Sequence, residues 1–395
     1  MSWEKVKLGD LYEVHNGLSK GGKFFGSGYP FLSFSIVFNN WFIPQNIKDL
    51  VQSTDKEQES YSIKKGDVFI TRTSETADEL GMSCVALKDY PQATYNGFCK
   101  RLRPIKSSYE VNPRYIGYYL RTSDFRGKFL GLSGTMTTRA SLRNEDLLAM
   151  EILLPPLKEQ KRIADILSAY DDLIENNQKQ IKLLEEAAQR LYKQWFIDLR
   201  YPGHETTPIV DGLPEGWKKE KLVDLASVQF GYAFDGSLFN SNGNGTPIVR
   251  IRNIPDGFTN DYTTENAPEE YIINNGDIVV GMDGEFHINS WSGDKSYLVQ
   301  RSCCFKPRNP KMKGWLLWAI HDPIKFFEKT VVGATVAHLG KKHIDTIELL
   351  TGPERLYEPF QNLFCKRQTL LNQNRKLAES RDRLLPKLMN GELDV

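Results

Sequence analysis

The stretch Trp3-Glu-Lys-Val-Lys-Leu-Gly-Asp-Leu11 returns 214 residues later as Trp217-Lys-Lys-Glu-Lys-Leu-Val-Asp-Leu225. Further along, Tyr61-Ser-Ile-Lys-Lys-Gly-Asp67 returns as Tyr271-Ile-Ile-Asn-Asn-Gly-Asp277, now at an offset of 210. Later matches pair Arg103-Pro104 with Lys306-Pro307, Gly134 with Gly333, and Met150-Glu-Ile152 with Ile347-Glu-Leu349. The offset falls to 197, as small deletions in a second copy would produce. The sequence therefore predicts an internal two-fold repeat.

Within each copy, the local pattern predicts a mixed α/β (α+β) globule. The β-branched runs Asp67–Thr71 and Asp277–Gly281 each follow a Gly-Asp turn, which is typical of a strand. The apolar runs Tyr115–Leu120 and Trp315–Ile320 indicate short buried helices. Each copy then continues into a long helix.

A heptad pattern begins after Pro155-Pro156 and recurs in the second copy. Its first seam comprises Ile163, Leu167, Tyr170, Ile174, Asn177, Ile181, Leu184, Ala188, Leu191 and Trp195. The second seam comprises Leu356, Phe360, Leu363, Arg367, Leu370, Asn374, Leu377, Arg381, Leu384 and Leu388. Strict heptads predict that the two helices pair as a coiled coil; the alternative is that each helix packs only on its own globule. Asn177 either fixes the register of this seam or is a packing accident.

These patterns divide the chain into a first globule (1–156), a first long helix (157–200), a linker with a second globule (201–352) and a second long helix (353–395). The linker, Tyr201–Gly216, is rich in Pro and Gly. If the copies are related by a pseudo-two-fold axis, the helices run antiparallel and separate two globules of inverted orientation.

The net charge of +1 over 395 residues hides two basic regions. Between Thr94 and Arg143 there are ten basic and two acidic residues, and the same counts hold between Lys295 and His343. Clustered Lys and Arg are what phosphate binding requires, so both globules are candidates for binding nucleic acid.

Other classes of function find little support. No apolar run approaches the length of a membrane span and no leader follows Met1, so we expect a cytoplasmic protein without membrane contact. The five cysteines form no CxxC pair and are expected to be reduced core thiols. The loop Gly17–Phe24 resembles a phosphate-binding loop, but Phe24 stands where Mg²⁺ needs a hydroxyl ligand. The spacing of His338 and His343 does not suit a metal pair. We therefore predict no catalytic residue and no metal site.

Four segments carry a resemblance to a known family: Leu154-Pro-Pro-Leu-Lys-Glu-Gln-Lys-Arg-Ile163, Leu184–Phe196, Asp211-Gly-Leu-Pro-Glu-Gly-Trp217 and Arg381–Leu393. Together they resemble the specificity subunits of type I restriction–modification enzymes. The second helix departs from the pattern, since it enters through Gly352-Pro-Glu-Arg-Leu356 without the Glu-Gln pair.

This resemblance implies a non-catalytic subunit whose two target-recognition domains each read one half of a bipartite double-stranded DNA target. It also implies two methyltransferase subunits and two motor-nuclease subunits as partners, which use S-adenosylmethionine, ATP and Mg²⁺, while this chain holds no cofactor. Two alternatives remain at this point: a stand-alone nuclease, and a coiled-coil interaction or DNA-binding protein outside restriction–modification.

Base edges are read by Arg at guanine, Asn or Gln at adenine, Asp or Glu at cytosine and apolar groups at thymine, whereas most Lys contacts reach phosphates. Any single surface Arg or turn Thr is as easily a solvated side chain as a contact. The candidates in the first globule are Lys20, Lys23, Arg72, Thr73, Ser74, Lys100, Arg101, Thr135, Thr137, Thr138 and Arg139. Those in the second globule are Arg250, Arg252, Asn253, Asp283, Glu285, Arg301, Thr335, His338, Lys341 and Lys342.

Overall fold

The computed structural model of the chain describes residues 3–74, 80–133, 140–330 and 337–393. The chain divides into two compact units: Met1–Asp171 together with Glu379–Val395 form unit 1, and Asp172–Ala378 form unit 2. Both units combine short strands with helices, as the sequence predicts.

The elements of the first copy precede and include the first long helix. Its strands are β1 (Glu4–Lys7), β2 (Tyr12–Asn16), β3 (Phe25–Leu32), β4 (Leu50–Val51), β5 (Val68–Thr71), β6 (Thr73–Ser74), β7 (Ser83–Val85), β8 (Thr94–Tyr95), β9 (Cys99–Pro104), β10 (Ala140–Ser141) and β11 (Glu151–Leu154). Its helices are α1 (Phe34–Asn39), α2 (Asp55–Ser60), α3 (Pro113–Tyr119), α4 (Ser123–Ser133), α5 (Asn144–Ala149) and α6 (Leu157–Tyr192), which continues as a π-helical turn over Lys193–Ile197.

The second copy has a similar order. Its strands are β12 (Ile209–Val210), β13 (Leu213–Pro214), β14 (Lys218–Lys221), β15 (Ala226–Phe230), β16 (Phe239–Asn240), β17 (Thr246–Val249), β18 (Tyr262–Thr263), β19 (Ile272–Ile273), β20 (Ile278–Gly281), β21 (Ile288–Ser290), β22 (Ser296–Leu298), β23 (Ser302–Pro307) and β24 (Glu348–Thr351). Its helices are α7 (Leu222–Leu225), α8 (Lys313–Ala319), α9 (His321–Thr330), α10 (Lys341–Ile344) and α11 (Glu358–Met389).

Sheet pairing confirms the predicted repeat. The four-stranded sheet β2-β9-β5-β7 of unit 1 has its counterpart in β15-β23-β20-β21 of unit 2, and both are antiparallel throughout. The pair β1–β11 corresponds to β14–β24. Even the unusual parallel contact of β3 with β8 recurs, as β17 with β22.

The Gly-Asp turn that opens the central strand is built identically in each copy. Gly66 and Gly276 have φ values of +90° and +86°, a conformation that glycine adopts without steric cost. The carboxylate of Asp67 accepts from the backbone N–H of Lys64 at 2.8 Å, and that of Asp277 accepts from Asn274 at 2.9 Å. The turn therefore fixes where β5 and β20 begin, and both predicted strands are confirmed.

The predicted short helices α3 and α8 lie inside the cores. The Asn112 side chain caps α3 by accepting from the N–H groups of Arg114 and Tyr115. Tyr115 and Trp315, one in each copy, are fully buried. Each helix therefore anchors an aromatic core against its main sheet.

Helices α6 and α11 pair in an antiparallel manner. In unit 2, Arg367 Nε donates to Glu185 Oε1 at 2.7 Å, and Asn177 Nδ2 lies 3.5 Å from Gln373 Oε1. In unit 1, an ion pair joins Arg381 to Asp171. Residues with higher numbers on α6 contact residues with lower numbers on α11, so the two helices run in opposite directions.

The predicted seam positions of both helices are buried or half-buried. Ile163, Leu167, Asn177, Ile181 and Ala188 are buried. The other α6 seam positions (Tyr170, Ile174, Leu184, Leu191, Trp195) and the α11 positions Leu363, Leu370, Leu377 and Leu384 are half-buried. Within unit 1, Ile163 and Leu167 share a cluster with Leu385 and Leu388, so α6 and α11 pack on each other as well as on the globules.

Four of the five cysteines, Cys84, Cys99, Cys303 and Cys304, are buried free thiols. Cys365 is exposed on α11, so the prediction of a core thiol is wrong there. It occupies a solvent-facing position of the helix, which a count of cysteines does not reveal. Among the described helices, none is long and apolar enough to cross a membrane.

Candidate nucleic-acid interface

Three segments of unit 2 meet at one end of its main sheet. The N–H of Met282, just after β20, donates to the carbonyl of Arg301 at 2.8 Å, just before β23. The carbonyl of Met282 accepts from the N–H of Leu339 at 2.7 Å. One residue thus joins the end of β20, the β22–β23 turn and the segment that leads into α10.

Unit 1 contains the same arrangement. The N–H of Arg72 donates to the carbonyl of Phe98 at 3.0 Å, and the carbonyl of Arg72 accepts from Leu142 N–H at 3.0 Å. Arg72 therefore corresponds to Met282, Phe98 to Arg301 and Leu142 to Leu339. Beyond Arg72, Thr73 pairs with Ser141 and Ser74 with Ala140. The predicted loop at Arg72, Thr73 and Ser74 is part of this junction.

In unit 2, three predicted contact residues form one cluster. Asp283 accepts from Arg301 NH1 at 2.6 Å through one oxygen and lies 2.5 Å from His338 Nδ1 through the other. Burial acts to raise the pKa of Asp283, but the hydrogen bonds from His338 and Arg301 outweigh it and hold the pKa below its ordinary value. The Asp283 carboxylate thus accepts hydrogen bonds from the protein itself. The exposed side chains of this cluster are those of Arg301 and His338, which offer hydrogen-bond donors to a ligand.

The Arg301 backbone is strained in the way functional sites often are. Its φ of +70° lies in the left-handed region, which costs a non-glycine residue about 1–2 kcal/mol. Its side chain is nevertheless 61% exposed. The fold therefore holds a charged, solvent-facing side chain on a strained turn.

Glu285 and the two lysines of α10 lie near this junction in sequence. Glu285 is exposed and sits 4.0 Å from Lys325 Nζ. Lys341 and Lys342 are exposed in the first turn of α10, three and four residues beyond His338. These two lysines present their charge to solvent.

Arg250, Arg252 and Asn253 form a separate group tied to the globule. Arg252 makes a bidentate pair with Asp261, with NH2 at 2.6 Å from Oδ1 and Nε at 3.1 Å from Oδ2. Asn253 Nδ2 donates to the same carboxylate at 3.2 Å, and Arg250 lies over the ring of Phe239. Each side chain already has a protein contact that DNA would have to share or replace.

The structure does not place Lys100 and Arg101 on the surface. Both lie in β9 and are buried. Arg101 NH1 donates to the carbonyl of Ser62 at 2.8 Å, and Lys100 Nζ donates to Asn144. Because their charged ends are buried and serve backbone and side-chain acceptors of the same globule, Lys100 and Arg101 do not present them to DNA.

Lys20 is also engaged within its globule. Its Nζ donates to the carbonyl of Gln52 at 2.6 Å and to Glu57 at 2.8 Å, which together tie the loop to α2. Lys23 is exposed on a short 3-10 turn. Of the remaining candidates, Thr135, Thr137, Thr138, Arg139 and Thr335, like the matched glycines Gly134 and Gly333, lie outside the described residues.

Phe98 was not among the sequence candidates, yet it occupies the position of Arg301. Its backbone makes the hydrogen bond that corresponds to the one made by Arg301, and its side chain is 57% exposed. Phe98 therefore lies on the surface at the corresponding junction of unit 1. Aligning the residues that precede β9 and β23, Gly97-Phe98 and Gln300-Arg301, would have revealed it.

Comparison of the sequence with known protein families agrees with a chain that contains two copies of one domain. A sequence profile described as the type I restriction modification DNA specificity domain matches residues 1–186 and 214–351. The chain belongs to the type I restriction–modification specificity family. The two matched regions correspond to the two structural copies.

Two relatives in this family align with the chain along almost their whole length. The chain is 26% identical to the type I restriction enzyme MjaIX specificity subunit of Methanocaldococcus jannaschii, covering 100% of this chain and 94% of the relative. It is 21% identical to the HindI specificity subunit of Haemophilus influenzae, covering 99% of each. The crystal structure of a type I S subunit from M. genitalium superposes with a TM-score of 0.56 at 16% identity, over 100% of this chain and 97% of that one. That likeness concerns the fold.

Proposed function

We propose that this chain is the DNA-reading subunit of a type I restriction–modification complex, and that each globule reads one half of a bipartite target. The observation that carries this proposal is the three-segment junction built twice with the same hydrogen bonds. A repeated reading element of this kind supplies two half-sites from one chain.

The residues at each junction fall into two groups by the part of DNA that their side chains suit. Arg301 and His338 present donors that suit base edges, whereas Lys341 and Lys342 present point charges that suit phosphates. In unit 1, Arg72, Thr73 and Ser74 lie on the corresponding segment. We therefore assign reading to the junctions and backbone contact to the lysines beside them.

Chemistry on DNA belongs in this proposal to partner subunits. Two methyltransferase subunits would use S-adenosylmethionine, and two motor-nuclease subunits would use ATP and Mg²⁺. This chain would hold no cofactor itself and would supply the target sequence to both activities.

The test compares the purified full chain with the chain co-expressed with its methyltransferase subunit. We expect no methylation and no cleavage from the chain alone, and adenine methylation at a bipartite sequence from the pair. Cleavage of DNA by the chain with Mg²⁺ alone would instead indicate a stand-alone nuclease. Failure to bind DNA in either form would indicate an interaction protein of another kind.

A further inference from the structure

We propose that Phe98 is a specificity-determining residue of the first half-site, and that it contacts the 5-methyl group of a thymine in the major groove. This inference rests on the proposed function. Phe98 stands where unit 2 has Arg301, so the two copies bring different chemistry to the same position.

Exposure alone does not support this role, because single exposed apolar residues are common on protein surfaces. The position does. Phe98 immediately precedes β9, as Arg301 precedes β23, and each carbonyl accepts the N–H of the residue that follows the central strand. The ring therefore belongs to the junction that the second copy uses for Arg301.

The turn before β9, which carries Phe98, is held by several hydrogen bonds. Its N–H donates to Asn96 Oδ1 at 2.7 Å, and the N–H of Cys99 donates to the Asn96 carbonyl at 2.9 Å. The neighbouring Gly97 N–H donates to Leu18 at 2.8 Å. A side chain on a rigid turn can discriminate between bases, since little order is lost on contact.

The chemistry of the Phe98 side chain limits what it can recognise. A phenyl ring offers no hydrogen bond to a base, and the thymine methyl is the apolar group of the major groove. Thymine is thus the base that Phe98 can select.

The experiment uses the full chain assembled with its methyltransferase subunit. Sequencing of methylated genomic DNA first defines the target. Each thymine of the first half-site is then replaced in turn by uracil, which lacks only the methyl group, and binding of wild type and Phe98→Ala is measured.

We expect the wild type to lose about fourfold in affinity at one thymine, the value of one buried methyl group, and Phe98→Ala to lose nothing further there. Phe98→Leu should retain part of the effect. Phe326→Ala, which removes a ring 61% exposed on α9, is the matched control and should respond to uracil as the wild type does.

Two results would overturn the inference. One is equal loss by wild type and Phe98→Ala at every substituted thymine. The other is a first half-site at which no thymine methyl affects wild-type binding. The absence of any bipartite target would overturn the proposed function itself, so the two failures are distinguishable.

Discussion

Replacement of Arg367 by alanine should destabilise unit 2 more than any substitution on the solvent face of its helices. Arg367 is buried at the seam and donates to three acceptors: Glu185 on α6, and Asn289 Oδ1 and Ser290 Oγ on the sheet, each at 2.7 Å. One side chain thereby joins α11 to both α6 and the globule.

The magnitude follows from these contacts. Removing one member of a buried ion pair costs about 3–5 kcal/mol, because the remaining polar groups lose their partner. Glu185 is 32% exposed, and solvent screens part of its attraction to Arg367. We therefore expect a loss near the lower end, about 3 kcal/mol in the free energy of unfolding.

Urea denaturation of the full chain measures this loss. Arg190→Ala is the control, since that side chain is 83% exposed and pairs with Glu186 at 3.7 Å within the same helix; it should change stability by at most about 0.5 kcal/mol. If Arg367→Ala unfolds within about 1 kcal/mol of the wild type, the buried network does not hold the helix and the reasoning is refuted.

Three further predictions concern the junction in unit 2 and its neighbouring lysines. The pKa of Asp283 is lowered in the folded state, so the Asp283 carboxylate should stabilise the fold above its ordinary pKa of 3.8 and lose this effect as pH falls through the lower folded value. The difference in free energy of unfolding between wild type and Asp283→Asn should therefore shrink on acidification. A larger difference at low pH would contradict this. Arg301→Gly relieves the left-handed strain that Arg301→Ala retains, so the glycine variant should be the more stable of the two in thermal unfolding, by up to about 1 kcal/mol. Both variants should lose the same base preference. Equal stability of the two variants would show that the turn is not strained. Lys341→Ala should weaken binding to cognate and random DNA alike and reduce the log–log salt slope by about one; loss on cognate DNA alone would make Lys341 a base contact.

The repeat and the paired helices could be predicted because both depend on periodic patterns. Small deletions do not hide the shared Gly66-Asp67 and Gly276-Asp277 turns, since a left-handed glycine and a capping carboxylate are required at those positions. The heptads likewise predicted the helix faces on which Asn177 and Arg367 lie.

The contact residues were harder to predict, because a count of basic residues does not show which face of a strand each occupies. Lys100 and Arg101 looked like an exposed basic pair, yet β9 lies inside its sheet, and both side chains are buried and donate to acceptors of the same globule. Phe98 was missed for the opposite reason: an isolated Phe predicts a core position, and only the turn geometry places it outside.

The most direct test of the whole account is a replacement of residues 1–156 by the corresponding globule of a relative with a different target. The hybrid chain is co-expressed with the methyltransferase subunit, and the methylated sites are determined by genome-wide sequencing. We predict that one half of the bipartite target changes to that of the relative while the other half stays as in the parent. A change in both halves, or an unchanged target in an active complex, would contradict the claim that each globule reads its own half-site.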